Sequence, residues 1–416
     1  RREGRACLRQ ALLYAFGQGE NAMNLDFSPE TETFRQTVRR FFETEFPKDI
    51  IEKNRAGLAL TTTEVRRSEM ALGAKGWLAS AWPEEYGGPG WSVEEQYVFD
   101  EELERAGVPT VTPMGVVYVG PVIYTFGSDA QKEKWLPGIR DGSVGWAQGY
   151  SEPGSGSDLA SLQFSAVLEN GTYTLNGHKI WTSAAQHADW IFLLTRTSDA
   201  GKKQEGITFI CCPIDAPGVT VKPIITIDGK HVLNEVFFDN VTVPEDYRIG
   251  EEGKGWTYSQ YLLGFERTSY ARIGGKRAML RHVRDIAREM PENGNYRLID
   301  DPGFARKLTE AEMAVDGLEM TVFRILSALS AGGSPGDAAS TVKILATTTH
   351  QQITELMLDA VGHFGQPFGK AGELPDSLPA FAAPDVATYF GGRAQSIYGG
   401  TNEIQRNIIA KKVLGL

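Results

Sequence analysis

Three stretches of this 416-residue sequence hold residue types able to do chemistry. The first is "GYSEPGSGSDLAS" (149–161), where glycines and serines alternate densely. Such a loop frees backbone N–H groups and hydroxyls for a phosphate or a heteroaromatic ring, although the same composition also builds plain surface loops. The second is "NGHKIWTSAAQHADW" (176–190), with Trp181 beside Thr182 and Ser183 on a predicted strand. A strand tryptophan is ordinarily core. Next to a hydroxyl pair it can instead stack on a flat cofactor while a hydroxyl reaches a ring nitrogen. The third is "SIYGGTNEIQRN" (396–407), two glycines ahead of a helix start that Thr401 or Asn402 can cap. That turn lets a ligand approach bare backbone, and its N–H groups can hold partial negative charge. Gly399 and Gly400 offer no reactive side chain, so the group that does chemistry must come from elsewhere.

The elements that position these stretches change character along the chain. From Ser28 to about Val144 the apolar spacing is helical. Ser28 and Pro29 start a helix with Phe34, Val38, Phe41 and Phe42 on one face, and "TEVRRSEMALGAKGWLAS" and "VEEQYVFDEELERAG" repeat the pattern. From about Trp146 to Gly250 strand alternation takes over, with Asn170-Gly171 as a hairpin signal between two β-rich runs. Helical spacing then returns through "YSQYLLGFERTSYARIGGKRAML", "PGFARKLTEAEMAVDGLEMTVFRILSAL" and "STVKILATTTHQQITELMLDAVGHFG".

Composition narrows the function class. The length calls for two or three domains, and 41% hydrophobic with 23% charged residues describes a soluble globular protein. A formal charge of −11 leaves no basic footprint for nucleic acid, and no apolar run approaches a membrane span. Cys7, Cys211 and Cys212 form no zinc pattern, and no metal site is expected. Adjacent Cys211 and Cys212 fall on opposite faces of a strand, a structural arrangement suited to a reducing compartment. Residues 1–22 read as a non-native or processed extension before Met23. Their arginines leave open a transit peptide, so the expected location is cytoplasmic, or the mitochondrial matrix if that segment is a transit peptide.

With these motifs in order, the sequence resembles the acyl-CoA dehydrogenases. "PEEYGGPG" (83–90), "GSDAQKEKWLPGIRDG" (127–142), "YSEPGSGSD" (150–158), "NGHKIWTS" (176–183), "EVFFDNVTVP" (235–244) and "YGGTNEIQRNII" (398–409) follow the family's order and spacing from about Met23 to the C-terminus. The resemblance implies an N-terminal all-α domain (23–145), a central β-barrel or β-sandwich domain (146–255) and a C-terminal four-helix bundle (256–416), with FAD between them at a subunit interface. By the same resemblance Gln148, Tyr150 and Ser151 line the flavin and Ser157 contacts phosphate. Trp181 shields one flavin face, Ser183 bonds N5, and Thr401 and Glu403 contact the rest of FAD.

Two departures from the family pattern matter. Many members read Tyr-Glu-Gly-Thr at the C-terminal turn, and that glutamate removes the substrate α-proton; here the position is Gly399. The Gly399 N–H remains to polarise the thioester carbonyl. The resemblance offers a second place for the base, on the first long helix after the β-domain, where the carboxylate is Glu266. Leu263, Glu266, Tyr270 and Ile273 recur at helical spacing, so a continuous helix would set Glu266 on an apolar stripe that raises its pKa toward that of a base. Pairing of Glu266 with Arg267 or another arginine is the plainer alternative. Arg267 and Tyr398 fall on the substrate side, and loss of the glutamate at 399 makes room for a branched or bulky acyl chain.

The second departure concerns assembly. The Arg-x-x-Phe-Gly segment that reaches a neighbour's FAD in many homotetramers is missing, and "NYRLIDDPGFARKLTEAE" stands there. The resemblance therefore implies a hetero-oligomer with a smaller acyl-CoA dehydrogenase-like subunit, otherwise a homotetramer or homodimer. It also implies an electron-transferring flavoprotein as electron acceptor. An acyl-CoA oxidase and a non-catalytic subunit at the FAD interface are the rival readings.

Overall fold

Helix α1 (Pro29–Thr44) starts where Ser28 accepts a hydrogen bond from the Thr31 N–H at 3.2 Å, with Pro29 in the first turn. Its inward face buries Val38, Phe41 and Phe42, as the spacing predicts. The computed structural model describes residues 27–199, 201–266, 271–292, 296–330, 338–366, 379 and 381–416. Helices α2 (Lys48–Arg55), α3 (Thr62–Ala74) and α4 (Val93–Ala106) follow, and reciprocal capping boxes at Thr61/Glu64 and Ser92/Glu95 fix the starts of α3 and α4. A π-helical turn, Met114–Val119, leads into α5 (Gly120–Phe126) and α6 (Asp129–Asp141).

One buried charge cluster ties α1 to α4. The Glu102 side chain is 0% exposed, and its carboxylate accepts hydrogen bonds from Arg39 at 2.8 and 3.0 Å, Arg105 at 2.5 Å and Arg35 at 3.2 Å. Burial alone would raise this carboxyl, but the Arg39 and Arg105 hydrogen bonds outweigh it and pull the pKa down to about 2.

The middle of the chain forms one seven-stranded sheet from β1 (Trp146–Gly149), β2 (Ser165–Glu169), β3 (Thr172–Ser183), β4 (Trp190–Arg196), β5 (Ile207–Pro213), β6 (Val219–Ile225) and β7 (His231–Pro244). Its order is β1-β4-β2-β3-β7-β6, with β5 paired antiparallel to β4. Asn170 and Gly171 both take positive φ, 50° and 76°, in the two-residue turn between β2 and β3. Cys211 and Cys212 on β5 are each fully buried, and they join two different apolar cores. The expectation of opposite faces holds, with both faces covered.

Helices return with α7 (Gly255–Glu266), α8 (Ile273–Glu289), α9 (Pro302–Ser330), α10 (Ala338–Val361), α11 (Ala382–Gly392) and α12 (Asn402–Lys412). A separate core, including Val283, Ile286, Leu308, Val315, Ile353 and Met357, joins α8, α9 and α10. Of the expected stripe, Leu263, Glu266 and Tyr270 have side chains outside the described residues, and Ile273 does not continue α7. Arg272 takes φ 39°, a left-handed conformation that no right-handed helix contains, so α7 and α8 are separate helices. The Glu104 carboxylate caps the new start, accepting the Gly275 N–H at 2.6 Å and pairing with Arg272 at 2.9 Å. Glu266 and Ile273 therefore belong to different helices.

Candidate active site

The glycine- and serine-rich loop is held from below by a buried ion pair. Lys179, 0% exposed on β3, donates to Glu152 Oε1 at 2.8 Å, to the Leu194 carbonyl at 2.8 Å and to the Tyr150 carbonyl at 3.1 Å. Glu152 in turn accepts the Gln163 and Phe164 N–H groups at 2.7 and 3.0 Å. Burial pulls the Lys179 ammonium down to about 8, with Glu152 opposing the shift. The loop is thus a fixed platform. Glu152 and Ser155 exchange backbone hydrogen bonds at 2.8 and 3.0 Å, while Gly154 and Gly156 face open space.

A bulge turns the aromatic outward. Lys179 pairs with Val236 and Thr182 with Asn234, so three steps along β3 match two along β7. The extra residue lets Trp181 adopt φ 61° and leaves it 56% exposed, while Thr182 behind it is 1% exposed. A large apolar ring held out at a strained backbone position marks a surface shaped for a ligand. The Ile180 N–H donates to the Ser151 carbonyl at 2.9 Å, which ties the end of the Gln148–Tyr150–Ser151 stretch to β3 at the residue before Trp181. Tyr150 is buried, and Ser151 and Ser183 are half-buried. Ser157 lies exposed on the same loop. Among the described residues the hydroxyls of Ser151, Ser157 and Ser183 make no hydrogen bond to protein. Three hydroxyls without a protein partner, on this loop and on the strand that carries the outward indole, suit a flat, polar-edged, phosphate-bearing group.

The C-terminal turn is built for the same kind of contact. Gly399 and Gly400 take φ 63° and 80°, and Thr401 caps α12 by accepting the Ile404 N–H at 3.2 Å. Two successive left-handed glycines leave their N–H groups without a partner among the described residues. Tyr398 is half exposed, and Glu403 is exposed in the first turn of α12, where backbone N–H groups and Thr401 hold its carboxyl below the usual range. The segment leading to this turn meets the β-domain at Gly391. A Cβ there would lie 2.9 Å from Asp228 Oδ2 in the β6–β7 turn.

Glu266 is the last residue of α7, and its side chain lies outside the described residues, as does all of Arg267. Sequence reasoning missed the supports beneath the site: Lys179, Glu152, Asn402, Lys343 and Gln405. One signal was available for Lys179, which holds an inward position in the alternation of β3. Among the described residues no group of three or more His, Cys, Asp and Glu is placed to hold a metal. Within the same residues no helix is long and apolar enough to cross a membrane.

Comparison with known proteins decides the family. Family models for the N-terminal, middle and C-terminal domains of acyl-CoA dehydrogenase match residues 28–143, 147–241 and 253–414. The chain belongs to the acyl-CoA dehydrogenase family. Its members are flavoprotein oxidoreductases that act on CH–CH donors. The chain is similar to acyl-CoA dehydrogenase IpdE1 of Mycobacterium tuberculosis, 35% identical over 356 residues, which are 85% of this chain and 88% of that one. Among solved structures it is similar to the steroid ACAD Tcur3481–Tcur3483, with TM-score 0.82 and 31% identity over 95% of this chain and 99% of that one. The ChsE4–ChsE5 complex from Mycobacterium tuberculosis gives TM-score 0.82 and 32% identity, again over 95% and 99%.

Proposed function

We propose that this acyl-CoA dehydrogenase is the catalytic, flavin-holding subunit of a hetero-oligomer that oxidises a bulky acyl-CoA to its trans-2-enoyl-CoA. The observation that carries the reading is the outward indole of Trp181 on β3 together with hydroxyls on Ser151, Ser157 and Ser183 that bond to no protein group among the described residues. These residues would hold FAD, with Gln148 and Tyr150 along its ring and Thr401 and Glu403 toward its remaining part. When bound, FAD supplies the acceptor for the substrate β-hydride. The chain's own residues do the rest. Glu266 takes the α-proton, with Arg267 beside it in sequence and Tyr398 at the turn on the substrate side. The Gly399 N–H donates to the thioester carbonyl and stabilises the enolate-like charge as the proton leaves.

Gly399 in place of a glutamate frees volume beside the reacting carbons, and structurally similar proteins include one named a steroid ACAD. Both support a branched, ring-bearing or sterol-derived acyl group. The missing Arg-x-x-Phe-Gly segment and the likeness to the ChsE4–ChsE5 complex support a smaller partner subunit. The electron acceptor on this reading is an electron-transferring flavoprotein, so turnover in air releases no peroxide.

The test is Glu266→Gln in the assembled complex. Loss of the base is expected to slow turnover by about 10²–10⁴-fold with flavin content unchanged. Unchanged turnover would remove Glu266 from the mechanism and favour a non-catalytic subunit.

A further inference from the structure

Helix α12 is docked in an unusual way. Its buried residues are Asn402 and Gln405, both polar and both in the first turns, while Ile404 is 36% exposed and Val413 and Leu414, just beyond the helix, are more than half exposed. An apolar stripe would hold such a helix while tolerating small slides; directional hydrogen bonds at one end fix its register. Here the bonds come from α10. Lys343 and Thr347 stand one turn apart on the same face and are 0% and 1% exposed. Lys343 Nζ donates to Asn402 Oδ1 at 3.1 Å, and Thr347 Oγ1 lies 3.1 Å from the same oxygen. A lysine only donates, so the amide oxygen of Asn402 must face it and the side chain has one orientation. On the other side of the turn Gln405 Nε2 reaches the Gly400 carbonyl at 3.4 Å, and a Cβ on Gly400 would lie 2.6 Å from that nitrogen.

From this geometry we infer that Lys343, Thr347 and Asn402 are positioning residues for the dehydrogenation, holding the Gly399 N–H at the thioester carbonyl. The inference rests on the function proposed above, in which that N–H stabilises the developing oxyanion. Between Asn402 and Gly399 lie only Gly400, with φ 80°, and the capping residue Thr401. Glycine has no Cβ to restrict it, so the two-glycine turn cannot hold its own shape against a shifting α12. The α10 pins supply that restraint. An oxyanion donor acts only at its correct distance and direction, so a small displacement lowers the rate without removing the substrate's other contacts.

The test uses the complete complex with an acyl-CoA, ¹³C-labelled at the thioester carbonyl, that the wild type dehydrogenates. Asn402→Ala is expected to lower kcat by about 10²-fold with KM within about threefold. The labelled carbonyl's infrared band should shift back toward its value in water, while flavin content stays that of the wild type. Asn402→Asp keeps an acceptor for both α10 donors and should restore kcat to within about threefold. Thr347→Val, which leaves Lys343 in place, covers the case in which Asn402→Ala does not fold; about a fivefold fall in kcat with an unchanged melting temperature is expected. Wild-type kcat and carbonyl band in both Asn402→Ala and Thr347→Val would overturn the inference, as would rate losses that only track melting temperature. A wild-type complex that dehydrogenates no acyl-CoA overturns the proposed function instead.

Discussion

At the scale of single residues, the informative side chains are those whose position contradicts their type. Trp181 is a large aromatic more than half exposed at positive φ, and Lys179 is a cation with no exposure at all. The two are neighbours on one bulged strand, and the second explains the first. Lys179 anchors Tyr150, Glu152 and Leu194 from inside, and that rigid base lets the bulge turn Trp181 outward. Lys179→Met keeps the length but strands the Glu152 carboxylate in the interior. The expected outcome is a loss of about 3–5 kcal/mol in urea unfolding and weakened flavin retention. A variant of wild-type stability would show that the two backbone N–H groups on Glu152 suffice. The stretches that hold Ser151, Ser157, Trp181 and Ser183 stood out in the sequence by composition, while the roles of these residues toward FAD come from the family resemblance and belong to the proposed function. Lys179 and Asn402 were harder to read, because what they do depends on partners far away in the chain.

At the scale of elements, helix caps and the Asn170-Gly171 turn were legible because they are local: a hydroxyl, a proline or a glycine acts within four residues. The continuous helix expected through Glu266 failed for the opposite reason. Periodicity persists through Arg272, but Glu104, from a helix far back in the chain, captures the Gly275 N–H and starts α8 afresh. The α1–α4 staple is another element-scale device and makes a pH prediction. The Glu102 carboxyl lies at about 2 in the fold against an ordinary value of 4.5, so its contribution is complete above about 4.5. It is lost as pH falls through about 2. Glu102→Gln should lower stability near neutral pH by about 3 kcal/mol, because half-buried Arg39 loses its anion while Arg35 keeps Glu101 at 2.5 Å and Arg105 keeps Glu43 at 3.5 Å. Urea midpoints of wild type and variant should converge between pH 4.5 and 2; a pH-independent gap would assign the effect to packing.

At the scale of the whole molecule, three layers in the order helices, sheet, helices bring a hydroxyl-lined platform and a two-glycine turn into one polypeptide. That order was legible because each part keeps its own hydrophobic period over many residues. On the proposed function another subunit helps enclose the site, and contacts of that kind leave no periodic mark in this sequence. The proposal reads the missing Arg-x-x-Phe-Gly segment as their trace. The central claim is that this assembly oxidises an acyl-CoA thioester. Its most direct test is the visible spectrum of the protein purified with its partner, followed while branched, sterol-derived and straight-chain acyl-CoAs are added without oxygen. The account predicts that the oxidised-flavin band bleaches with a bulky acyl-CoA and that the matching trans-2-enoyl-CoA appears. A flavin band that no acyl-CoA diminishes would contradict it.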